Sequence, residues 1–161
     1  GLPNLKTTPQ SLKVMAEERT FQLFAKHSVL NKAELNSRNE IYKEQYEKIV
    51  NIEANVALTM VRSMIIPAAI EYQTALCVNL ESVKKAKGKA TGTKKLFGDV
   101  SSLLEDIQSG AEKLEATIGK HDQSKMLEAM SDLRKSVDEL EGIMPSDKWP
   151  LPTYVEMLFM L

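Results

Sequence analysis

Apolar residues recur in steps of three and four along most of the chain, which predicts helices rather than strands. Thr8 followed by Pro9 reads as an N-cap with Pro at the first helical position. A first helical region runs from there to about His27. A break is expected near Met15, where Leu12 and Met15 fall out of phase with Phe21 and Phe24. Asn31 with Glu34 three residues on has the form of a capping box and opens a very long pattern. Tyr42, Tyr46, Ile49, Glu53, Val56, Met60, Ser63, Pro67, Ile70, Thr74, Cys77 and Glu81 carry it, and Ile52, Ile66, Ala69, Tyr72, Leu76, Leu80 and Val83 widen the stripe. This predicts one helix from about Lys32 to about Lys87. It should bend at Pro67, which lacks a backbone donor and crowds the preceding turn. Between Val56 and Ile70 the apolar surface runs nearly all the way round, so that middle should be enclosed on several sides.

Gly88 and Gly92 bracket a loop. Two more stripes follow: Leu96, Val100, Leu103, Ile107, Ala111, Leu114 and Ile118, then Met126, Met130, Leu133, Val137, Leu140 and Met144. Their alternating spacing is that of helices crossing at a shallow angle. Gly119 and Asp122 supply a stop and a new N-cap. So short a connection makes the two helices antiparallel neighbours, which form a three-helix bundle with the second half of the long helix. The early helices should lie against its first half. After Met144 the chain changes character: Pro145, Trp149, Pro150 and Pro152 predict an extended, stiffened tail. Thr153 and Glu156 offer a capping box for a last turn, and Trp149, Tyr154 and Phe159 are candidate docking anchors.

The expected fold is therefore all-α. It is an elongated helical bundle in which one Pro-kinked helix (about 32–87) packs with an antiparallel pair (93–144) and with short N-terminal helices. We expect one helical domain over 1–161, comprising a linker with short helices (1–31), the long helix, the pair and a Pro/aromatic docking tail (145–161). The 161-residue length fits one domain, and 43% apolar with 27% charged residues is ordinary for a folded protein. Twenty-one basic against 22 acidic side chains give a net charge of -1, with none of the basic excess of a nucleic-acid binder. The single cysteine removes an internal disulfide framework and suits a reducing cytosol. Gly1 reads as a cut or processed end, with more chain expected upstream, and no signal peptide is visible. The most apolar window, Ala54 to Ile70, contains Arg62 and Pro67 and is shorter than the roughly 20 residues of a spanning helix. It reads as a buried core helix.

Candidate chemistry is sparse. His27 and His121 share no helical spacing with each other, and neither sits in a Glu-x-x-His pair, so a di-iron bundle site drops out. His121, in an interhelix turn, reads as a phosphotransfer histidine or, more simply, as a solvated one. His27 sits at a helix end, where it can neutralise carbonyls. Cys77 falls on the apolar stripe and is expected to be a buried thiol. Glu53 interrupts that stripe and is expected to pair with Arg62 or Lys48, or to face another partner. No Gly-rich loop followed by Lys-Ser or Lys-Thr appears. The densest charge is a basic loop of Lys84, Lys85, Lys87, Lys89, Lys94 and Lys95, with no acid among them. It is either a contact for phosphate, an acidic surface or nucleic acid, or a solvated hairpin tip. With no aromatic before Phe97, base stacking has little to work with.

Five segments in order carry a resemblance. They are Leu2-Pro3-Asn4-Leu5-Lys6-Thr7-Thr8-Pro9, Arg38-Asn39-Glu40-Ile41-Tyr42, Asn51-Ile52-Glu53-Ala54, Ile66-Pro67-Ala68 and Trp149-Pro150-Leu151-Pro152-Thr153-Tyr154. From Leu2 to Phe159 the chain resembles the C-terminal region of type III glutamine synthetase, the large bacterial form. It departs at Leu151, where an aromatic is expected, and at Asn39, where Tyr is common. The resemblance implies a parent that joins glutamate and ammonia at the expense of ATP, with divalent metal (Mg or Mn), and that assembles as stacked rings. It also implies that the catalytic barrel and its ligands lie upstream. This piece would then hold no catalytic, cofactor or metal residue. Its partners would be the parent's catalytic domain and sister subunits, not nucleic acid or a membrane, and its place the cytoplasm. Tyr42, Tyr46 and Ile49 form a second candidate contact seam beside the tail anchors. Two rivals stay open: a free-standing helical adaptor, and a regulatory module that uses the basic loop.

Overall fold

The computed structural model describes residues 4–120, 122–152 and 154–159. Among them the chain is helical, with no strand: α1 (Thr8–Met15), α2 (Glu18–Lys26), α3 (Lys32–Met60), a π-helical turn (Val61–Ile65), α4 (Ile66–Lys85), α5 (Thr91–Ile118), α6 (Gln123–Glu141) and α7 (Tyr154–Leu158). The chain forms two compact units, Gly1–Ile52 and Glu53–Leu161.

In the N-terminal unit the helix ends follow local chemistry. The N-cap of α1 is Thr7, one residue earlier than expected, and Pro9 takes the second position, where its missing N–H is again one that the helix would leave unused. The expected break falls after Met15, and the Thr20 hydroxyl donates to the Val14 carbonyl across it at 2.7 Å. The capping box closes in both directions: the Glu34 N–H donates to Asn31 Oδ1 at 2.9 Å, and the Asn31 N–H to Glu34 Oε2 at 2.8 Å. Lys32 pairs with Glu18 at 3.3 Å and lies 4.9 Å from the centre of the Phe21 ring. Leu12, Leu35 and Val50 are buried. Asn39, where the resembled family favours Tyr, leaves a buried Oδ1 without a hydrogen-bond partner.

In the C-terminal unit α5 is the central helix, packed on one side against α4 and on the other against α6. Its core consists of Val100, Leu104, Ile107, Ala111 and Leu114, facing Met126, Leu133, Val137 and Leu140 of α6. The expected seam holds except that Leu104 is buried while Leu103 is only half covered. Gly110 lets these helices approach: a Cβ there would stand 3.0 Å from Leu133 Cδ1 and 3.7 Å from its Cα. Asp122 caps α6 as expected, accepting from the Lys125 N–H at 3.1 Å. The hydrogen bond from the Lys125 side chain is the main reason the Asp122 carboxyl lies below its ordinary range.

Pro67 does disturb the long helix. Its missing N–H leaves a carbonyl one turn back without its donor, and the chain answers with the π-helical turn, in which the Ile66 N–H reaches back five residues to the Val61 carbonyl. The helix then continues to Lys85. Its end is a Schellman motif, with the Gly88 N–H on the Val83 carbonyl at 2.9 Å and the Lys87 N–H on the Lys84 carbonyl at 3.1 Å. The residue that must turn left-handed is Lys87, with φ 55°, a conformation that costs any side chain bearing a Cβ. Lys87→Gly is therefore expected to raise the stability of the C-terminal unit by about 0.5–1 kcal/mol, read as an increase in the urea midpoint.

The tail departs from expectation at its start. Pro145 to Trp149 form a turn, the Lys148 and Trp149 N–H groups both donating to the Pro145 carbonyl, and residues 150–152 after it belong to no helix. The Lys148 ammonium reaches Glu71 of α4 at 3.4 Å.

Candidate functional site

The long helix is apolar on more faces than its own chain covers. Within the C-terminal unit the buried positions are Ala54, Val61, Ile65, Ala69 and Leu76. The stripe counted from the sequence faces elsewhere: Val56 and Ile70 are exposed at 52% and 44%, and Met64 and Val78 are exposed beside them. The expectation that Ala54–Ile70 is an enclosed core helix is thus corrected to a helix covered along one side. Cys77, expected to be buried, is exposed for the same reason. By length and composition alone the stretch Lys32–Lys85 could cross a membrane, and 22% of its most apolar window is buried in the chain. Within the N-terminal unit Ile41, Tyr42, Ile49 and Ile52 are likewise exposed, while Tyr46 is half-buried.

Arg62, inside the π-helical turn, makes a two-pronged bond to Glu115 of α5, Nη1 to Oε1 at 2.7 Å and Nη2 to Oε2 at 2.6 Å. Lys48 pairs with Glu44 at 2.6 Å. Both partners expected for Glu53 are therefore engaged elsewhere, and Glu53 is exposed. The hydrogen bond from Arg62 is the largest cause holding the Glu115 carboxyl below its ordinary range, and the same bond raises Arg62. A carboxyl whose folded pKa lies below its unfolded one adds stability above the usual carboxylate range, about pH 4, and loses it as pH falls through the folded value. Acidification should therefore lower the urea midpoint through that window, and Glu115→Gln should flatten this loss while leaving the fold intact. Raised salt should weaken the effect, since both groups are exposed.

The six lysines of the basic loop are all exposed, and none forms an ion pair among the described residues. Lys84 and Lys85 sit in the last turn of α4, where positive charge offsets the helix dipole. Ala90, at the N-cap of α5, provides no side-chain cap. His27 is the C-cap residue of α2. His121 and Thr153 lie outside the described residues, as does the side chain of Tyr154. Among the described residues no three His, Cys, Asp or Glu side chains gather as a metal site would require.

The third side of the bundle is open. Between α6 and residues 57–65 runs a groove of about 460 Å³, walled by Met60, Val61 and Ile65 opposite Met130, Leu133 and Val137. Trp149, Leu151, Pro152 and Met157 of the tail line it, and Arg134, Asp138 and Glu141 stand at its rim. Of the tail anchors named from the sequence, Trp149 therefore lies on the bundle, whereas Phe159 is 67% exposed. Nothing in the local pattern announced the groove, because it depends on which helix faces the fold leaves apart.

The family model described as glutamine synthetase C-terminal domain matches residues 1–84. A type-3 glutamine synthetase of Dictyostelium discoideum is 28% identical over 99% of the chain. Glutamine synthetases of Butyrivibrio fibrisolvens and Bacteroides fragilis are 31% and 25% identical, over 100% and 99% of it. The chain spans about a quarter of the length of these relatives, 24% to 25%. No solved structure matches it. With its first half matched by the family model and its whole length aligned to such enzymes, the chain belongs to the glutamine synthetase C-terminal domain family.

Proposed function

We propose that this chain is the helical structural domain of a cytoplasmic ATP-dependent glutamate–ammonia ligase, bracing its catalytic body or its subunit contacts and performing no chemistry itself. The observation that carries this is the long helix, apolar on faces that its own unit leaves bare at Val56, Met64, Ile70 and Val78. Exposed apolar surface of that kind marks contact with a partner. The relatives extend about three times this length beyond the matched region, which supports the rest of the parent and its sister subunits as that partner. ATP and Mg or Mn belong, on this proposal, to the parent's other residues.

The mass of the assembled parent with and without this region tests the role. Loss of ring stacking on deletion assigns assembly; intact rings with lost activity assign bracing of the active site. Unchanged assembly and activity would refute both, as would glutamine synthesis by this chain alone. The basic loop supports a second, regulatory reading, because its six exposed lysines form no ion pair among the described residues. Substituting Lys84, Lys85, Lys87 and Lys89 in the intact enzyme removes that reading if activity and assembly stay unchanged.

A further inference from the structure

We propose that the end of the tail, Leu158 with Phe159, fills the groove between α6 and residues 57–65, closing from the same chain as a strap over the open third side of the bundle. Met157 already lines that groove. The next two residues are large, apolar and exposed at 73% and 67%. Successive Cα atoms are about 3.8 Å apart, so Phe159 starts within about 8 Å of a residue already in place. The groove, at about 460 Å³, has room for a leucine and a phenylalanine side chain. A five-residue helix such as α7 is too short to hold its own shape, so side-chain packing decides where it lies. Pro150 and Pro152 restrict the approach, which lessens the ordering cost of closure.

The lining of the groove suits the same occupant. The rim is polar, with Arg134 bonded to Asp138 at 3.3 Å, while the walls are apolar, as a wedge of Leu and Phe requires. A tail from a second copy would compete with a tethered one, whose effective concentration is of millimolar order. The consequence is mechanical. Residues 57–65 include the π-helical turn with Arg62, and a closed strap ties that turn to α6 as the Arg62–Glu115 bond ties it to α5.

Trp149 is the chain's single tryptophan and lines the groove, so its fluorescence reports closure. In the 161-residue chain the double variant Leu158→Ser/Phe159→Ser should shift Trp149 emission to the red. It should also raise binding of an apolar dye and speed amide exchange at residues 61–66 by about tenfold. All three changes should be independent of protein concentration. Unchanged emission, dye binding and exchange in the variant would overturn the strap. A red shift that the unmodified chain itself develops on dilution would overturn it too, by assigning the groove to the tail of a second copy.

Discussion

Leu114→Ala should destabilise the C-terminal unit by about 3–4 kcal/mol, because Leu114 is fully buried in the α5–α6 seam and the cavity left behind adds to the lost transfer energy. Against a total of roughly 5–15 kcal/mol for a domain, this removes a large share of the margin. Urea unfolding at neutral pH should show a lower midpoint with an unchanged slope. The neighbouring pair Leu103 and Leu104 checks the phase of the seam. Leu104→Ala should cost about 2–3 kcal/mol and Leu103→Ala no more than about 1, since only Leu104 is buried. Equal costs would mean that α5 is rotated from the orientation described. Gly110→Leu attacks the same seam at a point of close approach: the new side chain meets Leu133 before it can leave the interface, and overpacking of this kind costs about 1–3 kcal/mol.

These positions differ in how far the sequence discloses them. The Asn31–Glu34 box and the Asp122 cap are decided by atoms three residues apart, so local chemistry suffices, and both form. The α6 stripe is legible because that helix has one apolar face; four of its expected residues inside the helix are buried, and Met130 lines the groove. The long helix defeats the same reasoning. It carries apolar residues on two faces, and the spacing from Tyr42 to Cys77 is as regular as that of the buried residues. Which face its own chain covers is settled by where α5 packs, a long-range fact. Cys77 and Val56 were therefore placed inside and lie outside. Arg62 and Glu115 are 53 residues apart, beyond any local pattern, and the role of Gly110 depends on Leu133 arriving opposite it. Pro67 was legible as a disturbance, but the form of the response was not. A π-helical turn keeps the helix running where a break would have cost several backbone bonds.

The second large effect follows from the bare face of the long helix. Val56→Lys with Ile70→Lys should change the stability of the isolated chain by no more than about 0.5 kcal/mol, since both side chains are already exposed and surface substitutions usually stay within that range. In the intact parent the proposed role makes the same pair severe. Each lysine would have to be desolvated in an apolar contact, and two such losses at a contact centre weaken association by roughly a hundredfold or more. Sedimentation of the intact enzyme should then show dissociated rings, or catalysis should fail in rings that persist. The contrast between the two settings is what discriminates. A damaged fold would lower the urea midpoint of the isolated chain, whereas a lost contact leaves that midpoint where it was and appears only in the assembly. If the doubly substituted parent assembles and turns over as before, the exposed stripe of Val56 and Ile70 faces water in the enzyme as it does here, and the bracing role must be sought on another surface of the unit.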